Sequence, residues 1–107
     1  MNQQQILLLI EQWQHTDPKH YKANIKYLCR VKGVTYNQIM PALNVGYETA
    51  RSYYNVVHRS KIDFLVALKL AELLGVDVEL FLEDHEKVQN IYSNCIDSTS
   101  GKSIIEL

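Results

Sequence analysis

The chain has little of several things, and each shortage removes a class of explanation. It has two cysteines, Cys29 and Cys95, too few and too far apart for a disulfide framework or a metal-binding spacing. Their scarcity points to a reducing, cytosolic setting. Four glycines and two prolines leave room for few loops, and no internal repeat or low-complexity tract is visible. No apolar run approaches the roughly 18 residues that a membrane span needs. The block Ile6–Ile10 has no basic segment before it and no small-residue cleavage site after it, so it does not read as a signal peptide.

What is present is 107 residues, 47% of them apolar, enough for one domain with a small core. The net charge of −1, taken whole, speaks against a nucleic-acid binder. Its distribution speaks otherwise. Up to Lys61 there are eight bases (Lys19, Lys22, Lys26, Arg30, Lys32, Arg51, Arg59, Lys61) and three acids, a net of +5. From Ile62 onward there are three bases and nine acids, a net of −6. With a Debye length of about 8–10 Å at moderate salt, two such patches act largely on their own.

The apolar periodicity predicts helices throughout. Ile6, Leu9, Ile10 and Trp13 give an extra N-terminal helix over residues 1–16, lying on the domain or on a second copy of it. Asp17-Pro18 starts the next helix, with Asp as cap and Pro at the first position. Tyr21, Ile25, Leu28 and Cys29 share its inner face, its lysines and arginines lie mostly off that face, and Gly33 stops it. Thr35 to Gln38 fits a capping box, and the short helix that follows holds Pro41. Asn44-Val45-Gly46 reads as a tight turn into a third short helix, from Tyr47 to about Asn55, which buries Ala50 and one of Tyr53 or Tyr54. Ser60 is expected to cap a helix whose inward face is Phe64, Ala67, Leu68, Ala71 and Leu74. Asp77 is expected to cap another that runs out near Lys87 or Val88. These helices make residues 17–88 one domain. Residues 89–107 form an arm in which Ile91 to Ile96 and Ser103 to Leu107 are β-tending, so a terminal hairpin or an irregular arm is expected.

Two short helices joined by a tight turn describe a helix-turn-helix unit. The run Ile25-Lys26-Tyr27-Leu28, then Gly33-Val34-Thr35, Ile39, Leu43, Val45, Thr49 and Ala50, resembles the Cro/phage-repressor (xenobiotic-response-element, lambda-repressor-like) helix-turn-helix family. So does the helix Phe64 to Leu74 followed by Gly75-Val76-Asp77-Val78. The resemblance covers about residues 22–84. It implies an all-α, five-helix domain whose third helix enters the major groove of double-stranded DNA while the second lies across the backbone. Carried over by position, Tyr47, Glu48, Arg51, Ser52 and Asn55 would face base edges. Tyr36, Asn37, Lys32, His58, Arg59 and Lys61 would contact the DNA backbone. Arg suits guanine, Glu cytosine and Asn adenine. This sequence departs from the family at Tyr36 (usually Gln), Asn44 (usually Gly), Gly46 (usually Ser or Thr), Pro41 and Glu48.

The resemblance implies a transcriptional regulator, a repressor of phage or mobile-element type, working as a homodimer in the cytoplasm and on the nucleoid of a bacterial or phage-infected cell. Ile6, Leu9, Ile10, Trp13, Ile91, Tyr92 and Ile104 are the candidate dimer residues. The second reading keeps the scaffold as a protein-binding module, an inhibitor, antitoxin or adaptor, anti-CRISPR-like roles included, with the acidic half taking the partner. An enzyme is not expected. His15 and His20 straddle the Asp17-Pro18 break, a poor ligand geometry. Ser100-Gly101-Lys102-Ser103 lacks the leading glycine of a phosphate loop, where Ile96 stands. Glu83, Asp84 and Glu86 do not follow calcium-loop spacing. No cofactor and no metal is expected.

Overall fold

The computed structural model describes the backbone of residues 2–100 and the side chains of residues 2–92. Six α-helices and one short 3-10 helix follow in order, with no strand among the described residues. They are α1 (Gln3–Gln14), α2 (Pro18–Lys32), α3 (Tyr36–Leu43), α4 (Tyr47–Tyr53), α5 (Phe64–Leu74), the 3-10 helix Val78–Leu82, and α6 (His85–Ser100).

Local chemistry accounts for most of the boundaries. Asn2 Oδ1 accepts from the Gln5 N–H at 2.8 Å and Gln5 Oε1 from the Asn2 N–H at 2.9 Å, a reciprocal cap on α1. Asp17 Oδ1 accepts from the Lys19 N–H at 3.0 Å, and Pro18 enters α2 where no N–H is needed. Gln38 Oε1 accepts from the Thr35 N–H at 2.9 Å as α3 begins. Gly33 (φ +71°) and Gly75 (φ +72°) end α2 and α5 in the left-handed region that a Cβ disfavours. Asn44, at φ +56°, does the same for α3 without being a glycine. Pro41 lies inside α3, which lasts only eight residues.

α2 is the central element and packs on α4, α5, the 3-10 helix and α6. Its Tyr21, Ile25, Leu28 and Cys29 are buried with Ile39, Ala50, Tyr53, Ala67, Phe81 and Val88. A polar clamp fixes the far end. The wholly buried Asn24 donates from Nδ2 to the carbonyls of Phe81 and Glu83, both at 2.8 Å, and its Oδ1 lies 2.7 Å from His85 Nδ1. Every polar atom of that side chain therefore has a partner, as burial demands.

Several expectations are corrected. The β-tending stretch from Ile91 to Ile96 is helical, part of α6, because Val88 is buried and Tyr92 half-buried in the cluster that includes α2. Tertiary burial overrides β propensity here. The pieces Gly101 to Leu107, Ile104 among them, lie outside the described residues. The single helix expected from Asp77 to about Val88 is a 3-10 helix, a break at Glu83-Asp84 and the start of α6. Asp63, not Ser60, occupies the cap position of α5. On α5, Leu70 is buried and Leu68 is exposed. Lys22 is wholly buried, although the other bases of α2 lie outside or at its margin. On α1, Leu9 and Trp13 are buried in the chain's own core, so they are not available as surface for a second copy. Ile6, Leu7 and Leu8 remain exposed.

Candidate nucleic-acid interface

α4 is built to expose one polar face. Ala50 and Tyr53, three apart, are buried against the core and fix its orientation. Tyr47, Glu48, Thr49 and Arg51 are then exposed, and Ser52 half-buried. The turn that sets α4 against α3 closes on the Val45 N–H, which donates to the Met40 carbonyl at 3.0 Å. Gly46 caps α4 with no side-chain hydrogen bond.

Three of the site residues expected from the sequence meet. The Tyr36 ring, from α3, stands edge-on to the Tyr47 ring at 4.9 Å and 85°. The Arg51 guanidinium lies over the other ring of the pair, 5.4 Å from the Tyr47 centroid. Such a stack orients a guanidinium while leaving its N–H fork for a partner. Ser52 turns its hydroxyl onto its own helix, donating to the Thr49 carbonyl at 2.7 Å. Asn55 lies beyond the end of α4, and its Oδ1 accepts from the Val57 N–H at 3.1 Å. Asn55 therefore belongs to the loop rather than to the helix that was expected to carry it. With Glu48, Arg51 and His58 it lines a shallow depression of about 310 Å³.

The loop from Val56 to Asp63 carries His58, Arg59 and Lys61, all exposed. It is tied down from beneath. Trp13 Nε1–H donates to the Ile62 carbonyl at 2.6 Å, and the Ile62 N–H donates to the Tyr21 hydroxyl at 2.9 Å. The buried Lys22 ammonium donates to the His58 carbonyl at 2.8 Å and to Ser60 Oγ at 3.1 Å. Burial lowers the pKa of Lys22, since desolvation disfavours its charged form. It raises those of Tyr21, Tyr53 and Tyr54, again by desolvation first.

The remaining candidates are scattered. Asn37 is exposed on the first turn of α3. Lys32 closes α2, its Nζ 5.5 Å from the Tyr92 ring of α6. Ile10 is half-buried and Ile91 exposed. Among the described side chains the ion pair is Lys87 to Glu83 at 3.5 Å, and no acid among them pairs with a base up to Lys61.

No group of three or more His, Cys, Asp or Glu side chains that could hold a metal occurs among the described residues. Cys29 is buried and its thiol is pushed up to about 12 by desolvation, which makes it inert near neutral pH. His20 is engaged through Nε2 with the Leu82 carbonyl at 3.1 Å. No helix of the described residues is long and apolar enough to cross a membrane. On the acidic half, Glu72, Asp77, Glu79 and Glu83 line an open groove of about 640 Å³ together with Val76 and Leu80.

Sequence reasoning missed Lys22. The signal was available, because residue 22 stands three before Ile25 and seven before Cys29, on the apolar stripe. It missed the Asn24 clamp as well, for which spacing holds no comparable sign. Compared with protein-family models, with curated proteins and with solved structures, the chain finds no match.

Proposed function

We propose that this chain is a sequence-specific regulator of transcription that binds double-stranded DNA, with the lambda-repressor-like helix-turn-helix arrangement formed by α3 and α4. In this reading α4 enters the major groove and α3 crosses the backbone, and two copies read a two-fold operator. The observation that carries it is the outer face of α4. Tyr47, Glu48, Thr49 and Arg51 are exposed on a seven-residue helix, about 10 Å long, that fits a groove about 12 Å wide. Arg51 is pre-oriented on Tyr47, and no acid pairs with it among the described side chains. The bases of the first half supply affinity through release of counterions.

Selection from a random duplex pool, followed by a gel shift on the winner, tests the reading. Wild type should enrich a two-fold symmetric site, and Arg51→Ala should lose discrimination at one or two base pairs per half-site. Binding that is indifferent both to sequence and to Arg51 rejects it.

A second reading, a protein-binding module, is favoured by the acidic groove along Glu72, Asp77, Glu79 and Glu83. Salt separates the two. A steep fall of DNA affinity with salt supports the first, and no DNA binding even at low salt supports the second.

A further inference from the structure

Lys22 is wholly buried, and no carboxylate pairs with it among the described residues. A methionine would fill much of the same space without the cost of burying a cation. The ammonium has two acceptors instead, the His58 carbonyl at 2.8 Å and Ser60 Oγ at 3.1 Å. That same oxygen lies 2.9 Å from Nδ1 of the His58 ring, and the Ser60 N–H donates to Nδ1 at 3.4 Å.

The proton count fixes the direction of this chain. An ammonium donates and cannot accept, so Ser60 Oγ accepts from Lys22. Its second lone pair would equally take a proton from Nδ1–H, so the backbone decides: the Ser60 N–H can only donate and is aimed at Nδ1, which therefore accepts from it and from the hydroxyl. A ring nitrogen that accepts carries no proton, so the proton of the neutral ring sits on Nε2. Nε2 has no acceptor among the described residues, and His58 is exposed beside the depression that Arg51 lines.

We infer that Lys22, acting through Ser60, is a positioning residue that holds His58 as its Nε2–H tautomer and so presents a fixed N–H donor to an anionic oxygen. The oxygen is of the phosphodiester class, a part that rests on the DNA-binding reading above. The tautomer lock does not rest on it. A rotating exposed imidazole offers a donor or an acceptor according to its tautomer. A locked one offers only the donor, the chemistry a phosphate oxygen takes.

The test has two arms. In the first, the ring nitrogens of the histidines are read by ¹⁵N NMR on the full chain at a pH where the rings are neutral. His15, exposed and with no hydrogen bond to its ring among the described residues, serves as the internal reference. His58 of wild type should show one tautomer, protonated at Nε2, distinct from His15. In Ser60→Ala, and in Lys22→Met, it should move towards the His15 values. Wild-type His58 coinciding with His15, or His58 unmoved in a Ser60→Ala variant with native circular dichroism, overturns the lock. In the second arm, His58→Ala should weaken matched and unmatched duplex alike by about tenfold, the value of one charge-assisted hydrogen bond, and Ser60→Ala should weaken both in the same direction by less. The double variant should lose no more than His58→Ala alone. A His58→Ala chain that binds DNA like wild type overturns the donor role. A wild type that ignores DNA overturns the function proposed above, and the ring shifts still decide the lock.

Discussion

The rings of Trp13 and Tyr21 lie face to face, centroids 4.0 Å apart and planes 10° from parallel, and between them they take both backbone polar groups of Ile62. One side chain comes from α1 and the other from α2, and Ile62 sits on the loop that leaves α4. The N-terminal helix is therefore part of the apparatus that sets the loop's path.

Trp13→Phe keeps a ring in the stack and removes the N–H. The buried Ile62 carbonyl then lacks its donor, at a cost of about 1–3 kcal/mol. Tyr21→Phe does the converse to the Ile62 N–H and should cost about as much. Thermal melts followed by circular dichroism should fall by at least about 4 °C for each. The two changes share a residue and a stack, so the double variant should deviate from additivity by more than about 0.5 kcal/mol. Strict additivity would mean that the two bonds act independently.

Cys29 gives stability an alkaline limb. Its folded thiol is held at about 12 by burial, while an unfolded thiol ionises near 9. From about pH 9 upward the unfolded chain binds fewer protons than the folded one, so stability falls as pH rises, by about 1.4 kcal/mol per pH unit from this group. Cys29→Ala should be the less stable protein at pH 7 and should lose this limb. Urea melts between pH 7 and 10 should show the gap between the two proteins narrowing above pH 9.

Two glycines should respond in opposite directions. Gly46 has an ordinary φ of −82°, and a Cβ there meets nothing within 4 Å. Gly46→Ser offers α4 the capping oxygen it lacks and should add a few tenths of a kcal/mol. Gly75, at φ +72°, also has room for a Cβ but not the conformation for one. Gly75→Ala should cost about 1–2 kcal/mol. Chemical denaturation resolves both if measured as differences in midpoint.

Arg59 and Lys61 are exposed and without ion pairs among the described side chains. On the DNA-binding reading, Arg59→Ala and Lys61→Ala should weaken binding uniformly across sequences. Each should also reduce the slope of log affinity against log salt by about 1. Arg51→Ala should alter the sequence preference as well. A salt series on matched and scrambled duplexes distinguishes the two behaviours.

The elements most legible in the sequence are those whose ends are decided within four residues. Asp17-Pro18, Gly33, Asn44 and Gly75 mark boundaries because capping and left-handed backbone are local properties. The sequence expected one of Tyr53 and Tyr54 to be buried, and it is Tyr53, three residues from Ala50. What escaped depends on distant partners. Ser60 looks like a helix cap until Lys22, 38 residues away, takes its oxygen. Ile91-Tyr92 looks β-tending until Val88 and Tyr92 fall four apart on a helix packed against α2. Within the candidate site, the exposure of Tyr47, Glu48 and Arg51 was legible. The meeting of Tyr36, Tyr47 and Arg51 was not, because ring orientation across two helices leaves no mark in spacing.

The Asn24 clamp has an electrical consequence. It joins α2, rich in lysine and arginine, to the junction of Phe81, Glu83 and His85 in the acidic later half. The two stretches of opposite net charge are thus fastened by a neutral side chain, and no ion pair crosses between them among the described side chains, so salt has little to screen at that seam.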